Sequence, residues 1–251
     1  MTSDIWIYLL AFSASLVAGT INTLAGNGSS LTLAVLMGVA GLSPKEANAT
    51  IRVGVLSAAL SALPTFYGKG YIRLSKEISK VLALVFGAVI GIFIALYIDN
   101  HSFKEVFKYL FILMLFFALF KPERWIQENQ VEPGSSYLLI FLYFLLGVYG
   151  GFVQMGLGVF FLFVAVWFEK KNIIQASALR TICIGLFSPI AILIFAYFGL
   201  VRWDFAFFMA IGEGIGGRVG SILATQYKNA AVYAHRLLII VLVVAIFQSF
   251  C

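Results

Sequence analysis

The sequence predicts an all-α polytopic membrane protein of two inverted repeats, each of about five helical segments. Three observations carry that expectation. Of the 251 residues, 62% are hydrophobic and 11% charged, and mean hydropathy is +1.01, whereas a soluble domain is about 45–50% apolar and roughly 25% charged. Apolar runs of about 20 residues, enough to span a bilayer, recur along the chain. A glycine-rich break follows the first helix of each half: Gly26-Asn27-Gly28-Ser29-Ser30 early on, and Gly150-Gly151 through Gln154, Gly156 and Gly158 later.

The first helix, about residues 5–21, follows a Met1-Thr2-Ser3-Asp4 start that lacks the basic region of a signal peptide, so it is read as retained. It ends at the first break because glycine, beside Asn and Ser, continues a helix poorly. A short segment at about 30–42 follows. Ser43-Pro44-Lys45-Glu46 then starts a helix at about 43–66: Ser43 caps, Pro44 occupies the first turn and Glu46 completes a capping box. Apolar runs at about 75–98 and 102–120 complete the first repeat, residues 1–120. Residues 121–135 are polar and carry Pro122 and Pro133, and form the connector. The second repeat, 136–251, keeps the order: a helix at about 136–152, the second break, a short segment at about 158–168, and helices at about 172–199, 204–226 and 231–250.

The halves also match in detail. Glu46-Ala-Asn48-Ala-Thr50 aligns with Gln175-Ala-Ser177-Ala-Leu179, Gly26/Gly28 with Gly156/Gly158, and Gly87/Gly91 with Gly212/Gly216. An odd number of segments per repeat inverts the second half. Loops near 67–80, 121–135, 169–172 and 227–236 collect most basic residues, among them Lys69, Lys80, Lys170 and Lys171, and the other side keeps Lys45, Lys104, Lys108 and Arg202. The positive-inside rule puts the basic loops in the cytoplasm and both termini outside.

Composition also excludes functions. The net charge of +6 sits in gaps between apolar runs, which reads as topology and not as a nucleic-acid groove. Two cysteines (Cys183, Cys251) and two histidines (His101, His235) give neither a disulfide framework nor a metal site. Gly212-Glu213-Gly214-Ile215-Gly216-Gly217 matches a dinucleotide fingerprint only literally, since no strand precedes it, and no cofactor is expected. Gly212, Gly216 and Gly220 read instead as a helix-packing face. An intramembrane serine hydrolase using Ser29 or Ser30 lacks a histidine at membrane depth. No enzyme is expected.

Arg52, Arg180 and Arg218 lie inside apolar runs, where a charge is by default a functional hypothesis. Arg52 is eight residues past Pro44 and Arg180 eight past Asn172, so each stands about 12 Å along its helix. The two approach the midplane from opposite sides. Asn48 shares a helix face with Arg52, as Ser177 does with Arg180 and Thr181. Such cationic, hydroxyl-rich faces suit a small anion; the alternative is that the arginines bond the carbonyls freed at the breaks. Arg218, nearer the cytoplasm, reads as snorkelling.

The breaks supply the complement. Helices starting near Gly28 and Gly156–Gly158 present N–H groups and a partial positive charge; Ser29 and Ser30 add hydroxyls, and Asn22, Asn27 and Gln154 add amides. Alternatively, the small residues serve packing and the polar ones satisfy broken backbone. The breaks are expected to face water, so that Gly28→Val removes transport and leaves folding intact. Glu213 is the candidate for a coupling proton or ion, or pairs with a basic neighbour.

Gly19-x-x-Asn22-x-x-Ala25-Gly26-Asn27-Gly28, Gly41-Leu-Ser-Pro44-x-x-Ala47 and Ala49-Thr50-x-Arg52 resemble the first repeat of the TauE/SafE sulfite exporter family. Gly147 through Gly158, then Gln175-Ala-Ser-Ala-Leu-Arg180-Thr181, resembles the second. The resemblance implies bacterial inner-membrane transport of sulfite, sulfoacetate or organosulfonates, as in the toluenesulfonate uptake permeases. The combined expectation is a secondary transporter working by alternating access, with the breaks, Arg52 and Arg180 enclosing a midplane site within the lipid bilayer. Alternatives are a passive anion channel, a scaffold without flux, or a carrier of another small carboxylate or oxoanion.

Overall fold

The computed structural model describes residues 5–71, 77–119 and 136–227, with positions 236, 239, 240 and 243. These form α1 (Ile5–Ala25), α2 (Ser29–Gly38), α3 (Pro44–Gly68), α4 (Ile78–Tyr97), α5 (Asn100–Leu119), α6 (Ser136–Phe152), α7 (Leu157–Trp167), α8 (Ile173–Tyr197) and α9 (Trp203–Gln226), with no strand among the described residues. The connector at 121–135 lies outside the described residues, as does the helix expected at about 231–250 but for those four positions. By length and apolarity α1, α3, α4, α8 and α9 are each able to cross a membrane. The 10 residues of α2 and the 11 of α7 reach only about half of a hydrocarbon core about 30 Å thick.

Local signals set the helix starts. At α3, the Ser43 hydroxyl accepts from the Glu46 N–H (3.4 Å) and the Glu46 carboxylate accepts from the Ser43 N–H (2.9 Å), the expected capping box. A second box, which the sequence reading did not identify, opens α8: Asn172 Oδ1 accepts from the Gln175 N–H (2.9 Å) and Gln175 Oε1 from the Asn172 N–H (3.4 Å). Helix α1 runs past its expected end to Ala25, where the Gly26 N–H bonds back to Asn22 O (2.9 Å) and φ of +86° turns the chain. Gly19 therefore does not break α1.

The glycine faces pack across the halves. Helix α9 lies on α1, its Gly216 so close that a β-carbon would stand 2.1 Å from Leu16 O. Helix α4 lies on α6 in the same manner, with 2.0 Å from a β-carbon on Gly91 to Val148 O and from one on Gly151 to Ala88 O. The fourth described helix of each half, α4 or α9, thus embraces the first helix of the other, held by the four-residue glycine spacing that the sequence displays.

Charged residues gather at the two ends of α4. Near its C-terminus Lys45 Nζ donates to Leu96 O (2.9 Å). At its N-terminal cap, Glu77 pairs with Lys80 and, at 2.7 Å, with Lys171; Lys171 also reaches Glu169 (3.1 Å). Lys80 pairs with Glu169, whose other oxygen accepts from the Tyr143 hydroxyl. Burial pushes the Glu77 carboxyl up, but the bonds from Lys171 and Lys80 outweigh it and hold it below its ordinary value. Lys170 sits between the paired residues at φ 60°, a left-handed turn that aims Glu169 and Lys171 at the same cluster.

Candidate functional site

The two breaks meet inside the protein. A β-carbon on Gly158 would stand 2.0 Å from Gly26 O and 2.3 Å from Gly26 Cα, so bare backbone faces bare backbone there. The expectation that the breaks face water is corrected by this contact: Asn22, Gly26, Asn27, Gly28, Ser29 and Ser30 are all buried, as are Gln154, Gly156 and Gly158. Gly28 is pressed onto α1, where a β-carbon would lie 1.7 Å from Ala18 O. A valine there breaks the packing itself, so Gly28→Val does not separate transport from folding.

Each break is bonded by an arginine from the opposite half. Arg52, 0% exposed, donates through Nη1 to Gly150 O (3.1 Å) and Gln154 Oε1 (3.3 Å), and through Nη2 to Gly151 O (2.7 Å). Gly150 O and Gly151 O are carbonyls that α6 frees as it ends. The guanidinium also lies 5.0 Å from the centre of the Phe195 ring. Asn48 completes the support: its Nδ2 donates to Phe152 O (3.0 Å) and its Oδ1 accepts from the Gln154 N–H (3.0 Å). The Tyr149 hydroxyl donates to Met155 O (2.6 Å), and φ of 74° at Gly156 turns the chain into α7. The second break is well satisfied.

The first break is not. Arg180, 2% exposed, donates through Nη2 to Asn22 O and Thr23 O at the end of α1. Its Nε and Nη1 have no hydrogen-bond partner, and neither has either amide atom of the wholly buried Asn27. Nη1 lies 2.5 Å from the position a β-carbon on Gly158 would take. The reason for the asymmetry is visible in the aligned pair Asn48 and Ser177. Asn48 is long enough to bridge the second break; Ser177 makes no such bond to the first, and its backbone carbonyl accepts from the Thr181 hydroxyl (2.8 Å). Ser30 Oγ donates to Asn27 O (2.8 Å) and Thr32 Oγ1 to Ser29 O (3.1 Å), so these hydroxyls serve the turn.

The structure brings together Asn22, Gly26, Gly158 and Arg180 on one side, and Asn48, Arg52 and Gln154 on the other. Arg218 is separate and exposed, donating to Thr65 Oγ1 (2.8 Å), as snorkelling implies. Sequence reasoning missed Tyr149 and Phe195. A tyrosine six residues before Met155, within a glycine-rich helix end, was the available signal for the first; nothing local marked Phe195.

A family model described as Sulfite exporter TauE/SafE matches residues 11–248. The chain belongs to the TauE/SafE sulfite exporter family. Among relatives of this transporter, the probable membrane transporter protein ORF9 of a Sinorhizobium species is 27% identical over 246 residues, 97% of this chain and 93% of its own. The probable membrane transporter protein YfcA of Escherichia coli K12 is 26% identical over 223 residues, 89% and 82% of the two chains. No solved structure matches the transporter. Family and relatives make it a multi-pass membrane transporter and not an enzyme.

Proposed function

We propose that the protein is a secondary transporter for a sulfonate- or sulfite-type anion in the bacterial inner membrane, and that the anion binds where the breaks meet. The observation that carries this reading is that Arg180 Nε and Nη1 and both amide atoms of Asn27 are buried at the first break without hydrogen-bond partners. Arg180 Nε and Nη1 offer three N–H donors and Asn27 Nδ2 two more, enough to meet an oxyanion with several acceptor oxygens. Ser29, Ser30, Gly156, Gly158, Ser177 and Thr181 border that place, and Asn48, Arg52 and Gln154 hold the opposing break in position. Parting of the breaks from alternate sides gives alternating access.

The test is flux in proteoliposomes. Radiolabelled methanesulfonate or sulfite is expected to accumulate against its gradient when an ion gradient is imposed, with acetate and nitrate competing weakly. Flux that only dissipates gradients indicates a channel, flux of carboxylates alone indicates another substrate class, and no flux indicates a scaffold. Any of these three results overturns the reading.

The same reading includes two inverted repeats with both termini outside. Supporting it are the exchanged packing of α1 with α9 and α4 with α6, the paired capping boxes and the crossed arginines. Lys45 and the Lys80–Lys171 cluster also lie at opposite ends of the 20-residue α4. In a background lacking Cys183 and Cys251, a cysteine at position 45 is expected to react with an impermeant maleimide in intact cells, and one at position 69 only after permeabilisation. Labelling of both from the same side, or the reverse order, contradicts the topology.

A further inference from the structure

Glu213 takes no part in either break's bonding. It lies on α9, 0% exposed, and neither carboxylate oxygen has a hydrogen-bond partner. The elements around it present no cation. Helix α1, without a charged residue, sets Gly19 against the Glu213 backbone, 2.5 Å from a β-carbon position to Glu213 O. Helix α3 sets Gly54 against the side chain, 2.9 Å from the β-carbon position to the carboxyl carbon. Helix α2, also uncharged, brings up the Thr32 hydroxyl. The charges these elements and their neighbours do carry are engaged elsewhere: Arg52 on α6, Lys45 on Leu96 O, Glu46 on the Ser43 N–H, Arg180 on α1, Arg218 on Thr65 and Asp204 on Arg202. The basic neighbour that the sequence reading allowed for is absent among the described residues.

An isolated carboxylate excluded from water is too unfavourable to persist without a counter-charge. We propose that Glu213 is the transporter's coupling site, where the carboxyl group takes up a monovalent cation, a proton or Na⁺, as the anion binds at the first break. The inference rests on the anion-transport reading and adds its driving ion. Geometry links the two places. Thr32, beside the carboxyl, donates to Ser29 O at the start of α2, just after the break. On the other side, Gly19 O accepts from Thr23 Oγ1 (3.0 Å), and Thr23 O accepts from Arg180. Both flanks of the first break therefore abut Glu213, and neutralising its charge alters the packing of the two segments that position Arg180 and Asn27. By linkage, the anion then tightens cation binding by the same factor.

Two measurements on the purified, reconstituted full chain test this. The first is infrared difference spectroscopy during buffer exchange, which needs no substrate. A protonated-carboxyl band is expected to respond to a step from acidic to alkaline buffer, or to Na⁺ replacing choline, and to vanish in Glu213→Gln. Response to pH alone identifies the proton, and response to Na⁺ identifies sodium. Glu213→Asp, which keeps the carboxyl should the amide prevent folding, is expected to shift the band. No difference between wild type and these variants overturns the proposal. The second is accumulation of methanesulfonate, whose own charge is constant over the pH range used. A gradient of about one pH unit, or a tenfold Na⁺ gradient, supports roughly tenfold accumulation at one-to-one coupling. Glu213→Gln is expected to reduce that to no accumulation, scored per folded protein. Wild-type accumulation by this variant overturns the proposal. A band that responds in a protein moving no methanesulfonate upholds the cation site and refutes the anion reading.

Discussion

Gly158→Ala is expected to abolish transport and to lower stability by about 1–3 kcal/mol, the typical range for overpacking a closed interior. The added methyl group meets Gly26 O at 2.0 Å, Gly26 Cα at 2.3 Å and Arg180 Nη1 at 2.5 Å. Two of these are backbone atoms of a turn that is itself anchored by Arg180, so neither side yields cheaply. Gly185→Ala is the matched control. Gly185 lies within α8 with no atom within 4 Å of a β-carbon position, and there the same change is neutral or stabilising by about 0.5–1 kcal/mol through helix propensity. Thermal unfolding in detergent, with methanesulfonate flux scored per folded protein, compares the two. If Gly158→Ala melts and transports like Gly185→Ala, the breaks do not meet as described and the proposed site loses its walls.

The sequence displays what is local and conceals what is exchanged. Ser43-Pro44-Lys45-Glu46 announces a helix start because all of its partners lie within four residues, and the structure bears it out. The spacing of Gly212, Gly216 and Gly220 announces a packing face in the same way, without naming α1 as the surface it meets. Both breaks were legible as interruptions of apolar runs. That they face one another, and so are buried, was not legible, because it depends on the two halves coming together in space. The crossed service of Arg52 to α6 and Arg180 to α1 is invisible for the same reason.

Charge reading met a similar limit. In the sequence, Lys80 and Lys171 mark the cytoplasmic side. The structure binds them to Glu77 and Glu169, residues separated by about ninety positions in sequence. Counting basic residues reports on which side a loop falls, and says nothing of the partner that makes a lysine partly buried. The alignment of Asn48 with Ser177 is likewise plain in the sequence. Its consequence, one break satisfied and the other left with free donors, needed the knowledge of what each residue faces.

That difference makes the two arginines separable by experiment. Arg52 spends Nη1 and Nη2 on Gly150 O, Gly151 O and Gln154 Oε1 and stacks on Phe195, leaving only Nε unpartnered. Arg180 spends Nη2 alone on α1 and keeps Nε and Nη1. Lysine retains the charge and some contact with carbonyls but has no planar fork. Arg52→Lys is therefore expected to lower stability by about 3 kcal/mol, since buried carbonyls lose donors at about 1–3 kcal/mol each, and to leave anion affinity within about twofold. Arg180→Lys is expected to fold with a smaller loss, because only Asn22 O and Thr23 O depend on it. Its affinity for methanesulfonate should fall by roughly ten- to a hundredfold, the worth of one or two charge-assisted hydrogen bonds. Calorimetric titration of the three purified proteins, with melting curves from the same preparations, reads both quantities. Equal affinity losses in the two variants would return Arg52 to the anion site as a symmetric partner. Unchanged affinity in Arg180→Lys would remove the guanidinium from binding altogether and make both arginines clamps on broken helices.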